Sequence, residues 1–501
     1  MDPSNAYVAP STLPGAGRGL FASSDLGAGS VIFAVKRPLL AIVDEKNLSS
    51  TCDECFTYFG EMGRNVGRLG SIEFLKCEGC EVVWYCSQVS GQIYIRTTFG
   101  QTCKDNAWTS NHQYECSTYK AVKEQESDAD FKCTKIGSKR LRCIIRLLFL
   151  HRHGRISPSD FATFTNLAEG FKKLKDNNTS YMMNTILKFA HTPPPFLPSS
   201  LTHASKAANN ECQLDTPNLL TSHQLARYGT YLQVESLPLG MCLEPHYSMI
   251  NHSCTPNAFW TFEGREIQVR AERDLKAGEE VFISYIPRGY FYERMERLGN
   301  WGIKCVCGLC KKGLIEPLGS LRGRLDKVLN DKNWNDKAAS TRVEMLRQLV
   351  EYLRKEGYGW GVWPMNLLHS RLYHTAREMG DKAEMLKVLV KMRYAVEMEQ
   401  EPKAFLTERV ETIRLLTSIM ARVQDDAENQ GKMGVLVGGV YIGMRQELLK
   451  EIEGCYGSDS SLARWERYRY MAEIGDGQKV DTEEFRGRLN CLLRWAGVDW
   501  E

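Results

Sequence analysis

Cysteines at short intervals are the first feature of this sequence that could do chemistry. Of the 17 cysteines, seven lie between residues 52 and 116 together with one histidine, and three more lie at 305–310. A pair of cysteines with two residues between them can direct two thiolates at one tetrahedral Zn²⁺. Reduced core thiols or a redox Cys-x-x-Cys are the alternatives, but three such pairs and a His-x-x-x-Cys favour zinc. The first group supplies eight ligands, enough for two closed sites: Cys52, Cys55, Cys77, Cys80, Cys86, Cys103, His112 and Cys116.

The composition is that of an ordinary globular protein. The chain has 501 residues, 43% of them hydrophobic, and a formal net charge of +3. This length predicts two to four domains, and the composition excludes a disordered or collagen-like chain. The small charge excess argues against direct nucleic-acid binding. We expect no signal peptide and no membrane contact, and we expect the protein in nucleus and cytoplasm, where thiols serve metals or catalysis rather than disulfides.

The order of the first ligand group, with Tyr85 and Trp108 between the ligands, resembles a MYND zinc finger. The resemblance implies two interleaved sites, one of Cys52, Cys55, Cys86 and Cys103 and one of Cys77, Cys80, His112 and Cys116. Sixteen residues separate Cys86 from Cys103, where the family has three. Residues 89–101 account for the excess. They are either translated non-coding sequence from a mis-set exon boundary or a genuine hairpin insertion, which a loop tip tolerates.

Three further strings occur in a fixed order along the chain. They are GAGRGLFA at residues 15–22, NHSCTPNA at 251–258 and GEEVFISY at 278–285. The first is not G-x-G-x-x-G and has no βαβ pattern around it, so a dinucleotide fold is not indicated. Together with the cysteines at 305–310, the strings resemble a SET-domain lysine methyltransferase. With the finger inserted after the first strands, the resemblance is to the SET and MYND domain family of protein-lysine methyltransferases, over about residues 8–310.

The resemblance implies a role for each matching residue. Tyr285 occupies the position of the catalytic tyrosine, and the segments around Asn251 and Tyr285 would be threaded as a pseudoknot. A third structural zinc site would consist of Cys254, Cys305, Cys307 and Cys310. The residues implied to contact S-adenosylmethionine are Gly17, Arg18, Gly19, Asn251, His252 and Tyr285.

Methylation of a lysine is chemically compatible with the residues that the resemblance implies. Methyl transfer from a sulfonium to an amine is an in-line displacement, so the enzyme chiefly aligns the reactants. A lysine in a narrow, water-poor channel has its pKa lowered by desolvation, and the Tyr285 hydroxyl can orient the neutral amine. Zinc is structural here, because four protein ligands fill each site.

Three positions depart from the family pattern. Glu235 stands where an asparagine usually contacts the cofactor, although its carboxylate can still accept a hydrogen bond from the methionine ammonium. Ile303 replaces an aromatic residue, and Trp301 lies close enough to supply its stacking. Glu244 also replaces an aromatic residue. We assign Glu235, Trp301 and Ile303 to the predicted cofactor site.

The predicted fold class is α+β: a β-rich SET fold with a pseudoknot, an inserted MYND finger and an all-α C-terminal domain resembling helical repeats. Apolar residues at helical spacing, such as Leu346, Leu349 and Leu353, predict the C-terminal helices, and Gly357 and Gly380 mark their ends. The predicted segments are 8–48 (N-terminal SET part), 49–116 (finger), 117–230 (helical insert, with a surface loop at 192–218), 231–288 (core SET), 289–312 (post-SET zinc segment) and 318–501 (helical domain).

We therefore expect a monomeric S-adenosylmethionine-dependent enzyme with three structural zinc ions that methylates lysines of histone tails or other proteins. The alternative is a SET scaffold of weak catalysis whose finger binds proline-containing peptides of transcriptional regulators.

Overall fold

The structure is a computed structural model. It describes residues 5–58, 73–87, 100–127, 135–165, 212–216, 237–286, 291–299, 303–311, 323, 325, 328, 331–361, 364–400, 405–425, 432–474 and 482–498. The predicted cofactor residues Glu235 and Trp301 lie outside these ranges, as does most of the 89–101 insertion.

The strands of the described residues form four small sheets, with the orders β1-β2-β12-β9, β10-β11-β3, β4-β8-β7 and β5-β6. Most of them are rich in β-branched, aromatic or other apolar residues, as strands with a buried face require. Their bounds are β1 (Ala6–Pro10), β2 (Arg18–Ala22), β3 (Val31–Val35), β4 (Leu40–Val43), β5 (Glu73–Lys76), β6 (Trp84–Ser87), β7 (Cys212–Thr216), β8 (Leu237–Leu243), β9 (Asn251–His252), β10 (Ala258–Glu263), β11 (Glu266–Ala271) and β12 (Glu280–Ile283).

One sheet brings the three strings of the sequence together. Strand β2 pairs antiparallel with β12, with Phe21 opposite Glu280. Strand β12 pairs in parallel with β9, with Phe282 opposite Asn251. Parallel strands need a crossover connection, and the β10-β11 hairpin lies within it. The segments around Asn251 and Tyr285 therefore run side by side, in the neighbouring arrangement that the family resemblance implies.

The finger combines the β5-β6 hairpin with α1 (Gly100–Ala107), a π-helical turn at Trp108–His112 and α2 (Gln113–Gln125). The helices α3 (Lys139–Arg152) and α4 (Pro158–Thr165) follow. Ser138 caps α3 by accepting a hydrogen bond from Leu141 N. The apolar stripe of α3 packs on the finger, with Leu141, Ile144 and Ile145 fully buried. This packing joins the finger to the insert.

The C-terminal part of the described chain is helical, as predicted. Gly357 and Gly380 have positive φ values just beyond the ends of two helices, a common way for a helix to end. The predicted stripe containing Leu346 and Leu353 is buried in the largest apolar core. The helices are α5 (Phe291–Gly299), α6 (Gly308–Lys311), α7 (Ala339–Lys355), α8 (Met365–Glu378), α9 (Lys382–Lys391), α10 (Glu397–Gln400), α11 (Thr407–Asp425), α12 (Lys432–Tyr456), α13 (Ser461–Ile474) and α14 (Thr482–Ala496).

The α+β class is confirmed, and one local expectation is corrected. Residues 212–216 fall within the stretch predicted as a surface loop, but they form β7, which pairs antiparallel with β8. The sequence CQLDT has only a weak strand pattern, and the pairing partner supplies what the local sequence does not. Within the described ranges, no helix is both long and apolar enough to cross a bilayer.

Candidate active site

The turn between β1 and β2 carries the glycine-rich string. Gly15 and Gly17 have φ values of +79° and +74°, which residues with a Cβ adopt only at a cost. A Cβ built on Gly17 would meet no atom within 4 Å. At Gly19 a Cβ would collide with the carboxylate of Glu280. The loop therefore presents bare backbone to open space at Gly17 and packs tightly against β12 at Gly19.

Glu280 is the buried carboxylate on which this loop rests. Only 3% of the residue is exposed, and its oxygens accept hydrogen bonds from Ser11 Oγ at 2.7 Å, Thr12 N at 2.7 Å and Asn251 Nδ2 at 3.0 Å, as well as from the Thr12 hydroxyl. Burial opposes ionisation, but the hydrogen bonds outweigh it and hold the pKa of Glu280 below its ordinary value. A charged Glu280 thus ties the N-terminal turn to β9 and β12.

Two asparagines of the NHSCTPNA string brace the site. Asn251 Nδ2 also donates to the Arg18 carbonyl at 2.9 Å, which joins β9 to the glycine loop. Asn257 donates to the Glu280 carbonyl at 2.9 Å and accepts from Phe282 N at 2.7 Å, so it fastens the string to β12. Both side chains hold backbone segments in register rather than pointing freely into solvent.

Tyr285 lies just beyond β12, against His252. Its hydroxyl donates to the Ile250 carbonyl at 2.5 Å, and burial raises the pKa of Tyr285 to about 12. Its backbone N–H donates to His252 Nδ1 at 3.0 Å. Burial also lowers the pKa of His252 to about 4, so the ring is neutral and its proton is on Nε2, which lies 3.3 Å from Cys254 Sγ. The phenol is therefore neutral, oriented and linked through His252 to a cysteine cluster.

The structure brings most of the predicted cofactor residues together. The Arg18 carbonyl accepts a hydrogen bond from Asn251 Nδ2, a Cβ on Gly19 would lie 3.3 Å from the same nitrogen, and the sheet that joins β2, β12 and β9 leads to Tyr285. Both ring nitrogens of His252 are engaged within the protein, so its backbone is what remains for a ligand. The open glycine loop beside a polar, backbone-rich wall fits S-adenosylmethionine, whose ammonium, carboxylate and adenine groups need such partners.

The departures have partial structural explanations. Glu244 is buried and accepts hydrogen bonds from His246 Nδ1 at 3.0 Å and from Leu39 N at 3.3 Å, so it serves as a local anchor where an aromatic side chain was expected. The hydrogen bond that His246 donates to the Glu244 carboxylate raises the pKa of His246. Ile303 donates its N–H to the Leu298 carbonyl at 3.0 Å, and it lies two residues before Cys305.

The two finger clusters have the geometry of tetrahedral zinc sites. In each of the three clusters found among the described residues, four ligand atoms lie within 4.8 Å of one another. A tetrahedral site with Zn–S distances near 2.3 Å has ligand–ligand separations of about 3.8 Å. Cys86 Sγ lies 3.6 Å from both Cys55 and Cys103, and Cys77 Sγ lies 3.8 Å from Cys116. The groupings are those implied by the family: Cys52, Cys55, Cys86 and Cys103, then Cys77, Cys80, His112 and Cys116.

The third cluster closes beside Tyr285. It consists of Cys254, Cys305, Cys307 and Cys310, and Cys254 Sγ lies 3.5 Å from Cys310 Sγ and 3.9 Å from Cys305 Sγ. Because Cys254 follows His252 by two residues, a metal here would fix the segment on which Tyr285 rests. These separations again match a closed tetrahedral set.

Three supporting residues were not identified from the sequence. Glu115 lies 3.4 Å from His112 Nδ1, the usual place for a carboxylate that orients a metal-binding histidine. Its position three residues after His112 on a helix was the available signal. Arg146 binds Glu115, Asp53 and the Ala41 carbonyl in the buried space between α3 and the finger. Glu280, the third, stands in the GEEVFISY string, but no local pattern marks it as buried.

Comparison with known proteins defines the class. The SET domain family model matches residues 17–286, more than half of the chain. The chain belongs to the SET domain family.

Its relatives agree with the predicted SET and MYND resemblance. N-lysine methyltransferase SMYD2-B of Danio rerio is 26% identical over 349 residues, covering 68% of this chain and 68% of that protein. Histone-lysine N-methyltransferase SMYD3 of Homo sapiens is 24% identical over 298 residues, or 59% of each chain. Histone-lysine N-methyltransferase ASHR1 of Arabidopsis thaliana is 24% identical over 314 residues, covering 60% of this chain and 54% of that protein. The chain thus spans between 54% and 68% of the length of these three relatives.

Proposed function

We propose that this protein is an S-adenosylmethionine-dependent protein-lysine N-methyltransferase. The observation that carries the proposal is the placement of Tyr285, partly buried and neutral, just beyond β12 and next to the sheet that holds the open glycine loop. The relatives are named as lysine methyltransferases, which supports the same reaction. Histone tails and other lysine-bearing proteins are the proposed substrates.

Gly17, Arg18, Gly19 and the backbone of Asn251 and His252 are the proposed cofactor contacts. When bound, S-adenosylmethionine supplies the methyl group that is transferred. The bare backbone at Gly17 allows close approach of the ligand. Glu280 and Asn251 hold the loop in that position through hydrogen bonds at 2.7 to 3.0 Å. The protein thereby keeps its half of the site preorganised, which is the main requirement of a displacement reaction.

Tyr285 is the proposed catalytic residue. Its hydroxyl donates to the Ile250 carbonyl, which fixes the direction of the phenol, and the phenol oxygen is the proposed acceptor for the substrate lysine amine. With a pKa near 12 the phenol stays neutral at physiological pH, and it adds no negative charge that would hold the lysine as an ammonium ion. The neighbouring Ile250 carbonyl contributes a second fixed dipole. Together they orient the amine lone pair.

The test is methyl transfer from labelled S-adenosylmethionine to histones by the purified protein. We expect Tyr285→Phe to lower kcat by about 10²-fold, as removal of an oriented hydrogen-bonding group does in other enzymes, with cofactor affinity little changed. Tyr468→Phe is the matched control, because Tyr468 is an exposed tyrosine of α13. An unchanged kcat in Tyr285→Phe would exclude its catalytic role. Cofactor binding without any transfer by the unaltered protein would favour the scaffold alternative.

Three structural zinc ions are part of the proposal. The ligand separations support them, and the closed, four-ligand sets would give zinc no open position for catalysis. Elemental analysis of the purified protein is expected to give three zinc ions per chain. Two would mean that the long insertion between Cys86 and Cys103 prevents one finger site from loading.

A second function is favoured by one residue of the finger. Trp108, in the π-helical turn, is 49% exposed, and exposed tryptophans are enriched where proteins bind partners. We propose that it contacts proline-containing peptides. Such binding should be lost in Trp108→Ala while methyl transfer to free histone peptides is retained, and peptide binding unaffected by this substitution would place the contact elsewhere.

A further inference from the structure

A polar cavity lies between the finger and the SET core, away from the glycine loop and Tyr285. Its volume is about 320 Å³, the lower end of the range for small-molecule sites. Four parts of the chain meet around it: the segment after β3, the π-helical turn of the finger, the end of α3 with the residues that follow it, and the turn between β10 and β11, which carries Arg265. The polar residues that line it are Arg37, Ser110, Asn111, Arg146, Arg155 and Arg265.

The charged groups lining this cavity are all cationic among the described residues. Three carboxylates behind the wall neutralise part of the charge. Glu54 binds both Arg37 and Arg265, whereas Asp53 and Glu115 both bind Arg146. Arg155 donates only to the Thr109 carbonyl at 3.2 Å and has no carboxylate partner in the described part of the chain. Four guanidinium groups therefore face three carboxylates, and the wall carries a net positive charge.

Arg265 is the cavity arginine whose guanidinium group is incompletely hydrogen-bonded. Its Nε is buried and has no hydrogen-bond acceptor among the described residues. Burial lowers the pKa of Arg265, and the charges of Arg37 and Arg146 lower it further, against the opposing effect of Glu54. Like charges gathered without enough counter-charge are costly unless an anion joins them. The wall of the cavity therefore lacks one negative charge to balance its arginines.

The remaining wall is apolar. Pro38, Leu39, Leu40 and Leu150 lie on it, beside the Ser110 and Asn111 side chains. Arginine forks match the oxygens of phosphate in paired hydrogen bonds. A phosphate monoester presents three terminal oxygens to the guanidinium groups, whereas a carboxylate presents two. An apolar group attached to the phosphate would contact the leucines.

We propose that this cavity binds a small phosphate monoester, with Arg37 and Arg155 holding the phosphate. A ligand there contacts the finger, α3 and the SET core at once, so its binding stabilises the finger in its docked position. This site is separate from the proposed methyl-transfer site, and its occupancy does not depend on S-adenosylmethionine.

The experiment is titration calorimetry of the zinc-loaded full-length protein with phenyl phosphate, inorganic phosphate and benzoate. We expect saturable binding of phenyl phosphate, weaker binding of inorganic phosphate and the weakest binding of benzoate. Arg37→Gln and Arg155→Gln should each weaken phenyl phosphate binding about tenfold, the usual effect of losing one charge-assisted hydrogen bond. Both side chains reach solvent, so the variants should melt like the parent without ligand.

Arg488→Gln is the matched control. Arg488 is 49% exposed and paired with Glu484, much as Arg37 is 51% exposed and paired with Glu54, but it lies on α14, far along the chain from the cavity residues. Its binding curve should match that of the parent. The proposal fails if phenyl phosphate does not saturate, if Arg488→Gln weakens binding as much as the cavity variants, or if benzoate binds equally well. A phosphotyrosine peptide that binds more tightly than phenyl phosphate would replace the small ligand with a protein partner.

Discussion

Glu280 is the residue whose charge the glycine loop depends on. Its carboxylate accepts hydrogen bonds from Ser11, Thr12 and Asn251, and Asn251 also donates to the Arg18 carbonyl of the loop. The loop that we propose to contact the cofactor is therefore held by a hydrogen-bond network centred on one ionised group. Loss of that charge should loosen the loop before the rest of the sheet.

The first prediction concerns pH. The pKa of Glu280 is lowered in the folded protein, so its stabilising contribution is complete above the unfolded value near 4.5 and is lost as pH falls through the folded value. We expect Glu280→Gln to lower stability by about 1–3 kcal/mol at neutral pH, the cost of disturbing buried hydrogen bonds, and by less in acid. Denaturant unfolding between pH 7 and pH 3 measures this. Glu484→Gln, at an exposed site, should change stability little at either pH, and an equal effect of the two substitutions would contradict the role of Glu280.

At this scale, the sequence predicted the residues that carry chemistry better than those that support them. The zinc ligands and Tyr285 belong to strings whose spacing is fixed by the site itself, and their groupings are confirmed for the cysteines and His112. Glu280 could not be found this way. A glutamate at the start of a strand is ordinarily exposed, and this one is buried by Ser11 and Thr12 from the other end of the domain.

At the scale of elements, the joint between α3 and the finger depends on Arg146. It is buried with Glu115 and Asp53, and Glu115 in turn contacts His112. The apolar stripe of α3 lies on the same helix, and Arg146 interrupts it. Hydrophobic periodicity is therefore consistent with the buried face of the helix, while the ion pairs that lead to His112 are not visible in it.

The second prediction is that Arg146→Met destabilises the protein by about 3–5 kcal/mol, because it leaves two buried carboxylates without their cation. Unfolding of the zinc-loaded protein in denaturant measures the change. Lys120→Met is the control, since the Lys120–Glu124 pair on α2 is largely exposed and should contribute little. Similar effects of the two substitutions would show that the buried network does not hold the finger.

Strand β7 illustrates what element-level patterns miss. Its five residues were predicted as loop, and they are extended because β8 offers them a hydrogen-bonding edge. The opposite holds for α7, where Leu346, Leu349 and Leu353 repeat at helical spacing and all are buried. A helix can be predicted from the spacing of apolar residues within its own segment, whereas a short polar strand depends on a pairing partner elsewhere in the chain.

At the scale of the whole molecule, the helical domain is fastened to the SET core by a few polar contacts. Arg270 of β11 donates to the Gly29 carbonyl at 2.9 Å and to the Tyr456 carbonyl at 3.1 Å. Phe405 N donates to the Glu272 carbonyl at 3.0 Å, and Ser461 N donates to Glu263 at 3.1 Å. The sequence predicted both parts but not this contact, because no local pattern records which strand edge meets which helix end.

The third prediction is that Arg270→Ala loosens the helical domain selectively. Hydrogen exchange should accelerate around the end of α12 and the start of α13, with β2 and β12 unchanged. One of the lost bonds joins β11 to the Tyr456 carbonyl at the end of α12, and another reaches only the Gly29 carbonyl before β3. Arg273→Ala is the control, since Arg273 is half exposed and pairs with Glu279 on the SET surface. Acceleration spread evenly over the chain would mean that Arg270 supports the SET core instead.

The pairing of β2 with β12 also governs how the protein reaches its fold. The whole finger and the helical insert lie in the interval between these strands, so their pairing must close a very long loop, and contacts of such sequence separation form slowly. A finger already folded around its own metal ions shortens the chain that this closure must span. Zinc supply during synthesis should therefore set how quickly the sheet beneath the glycine loop can close.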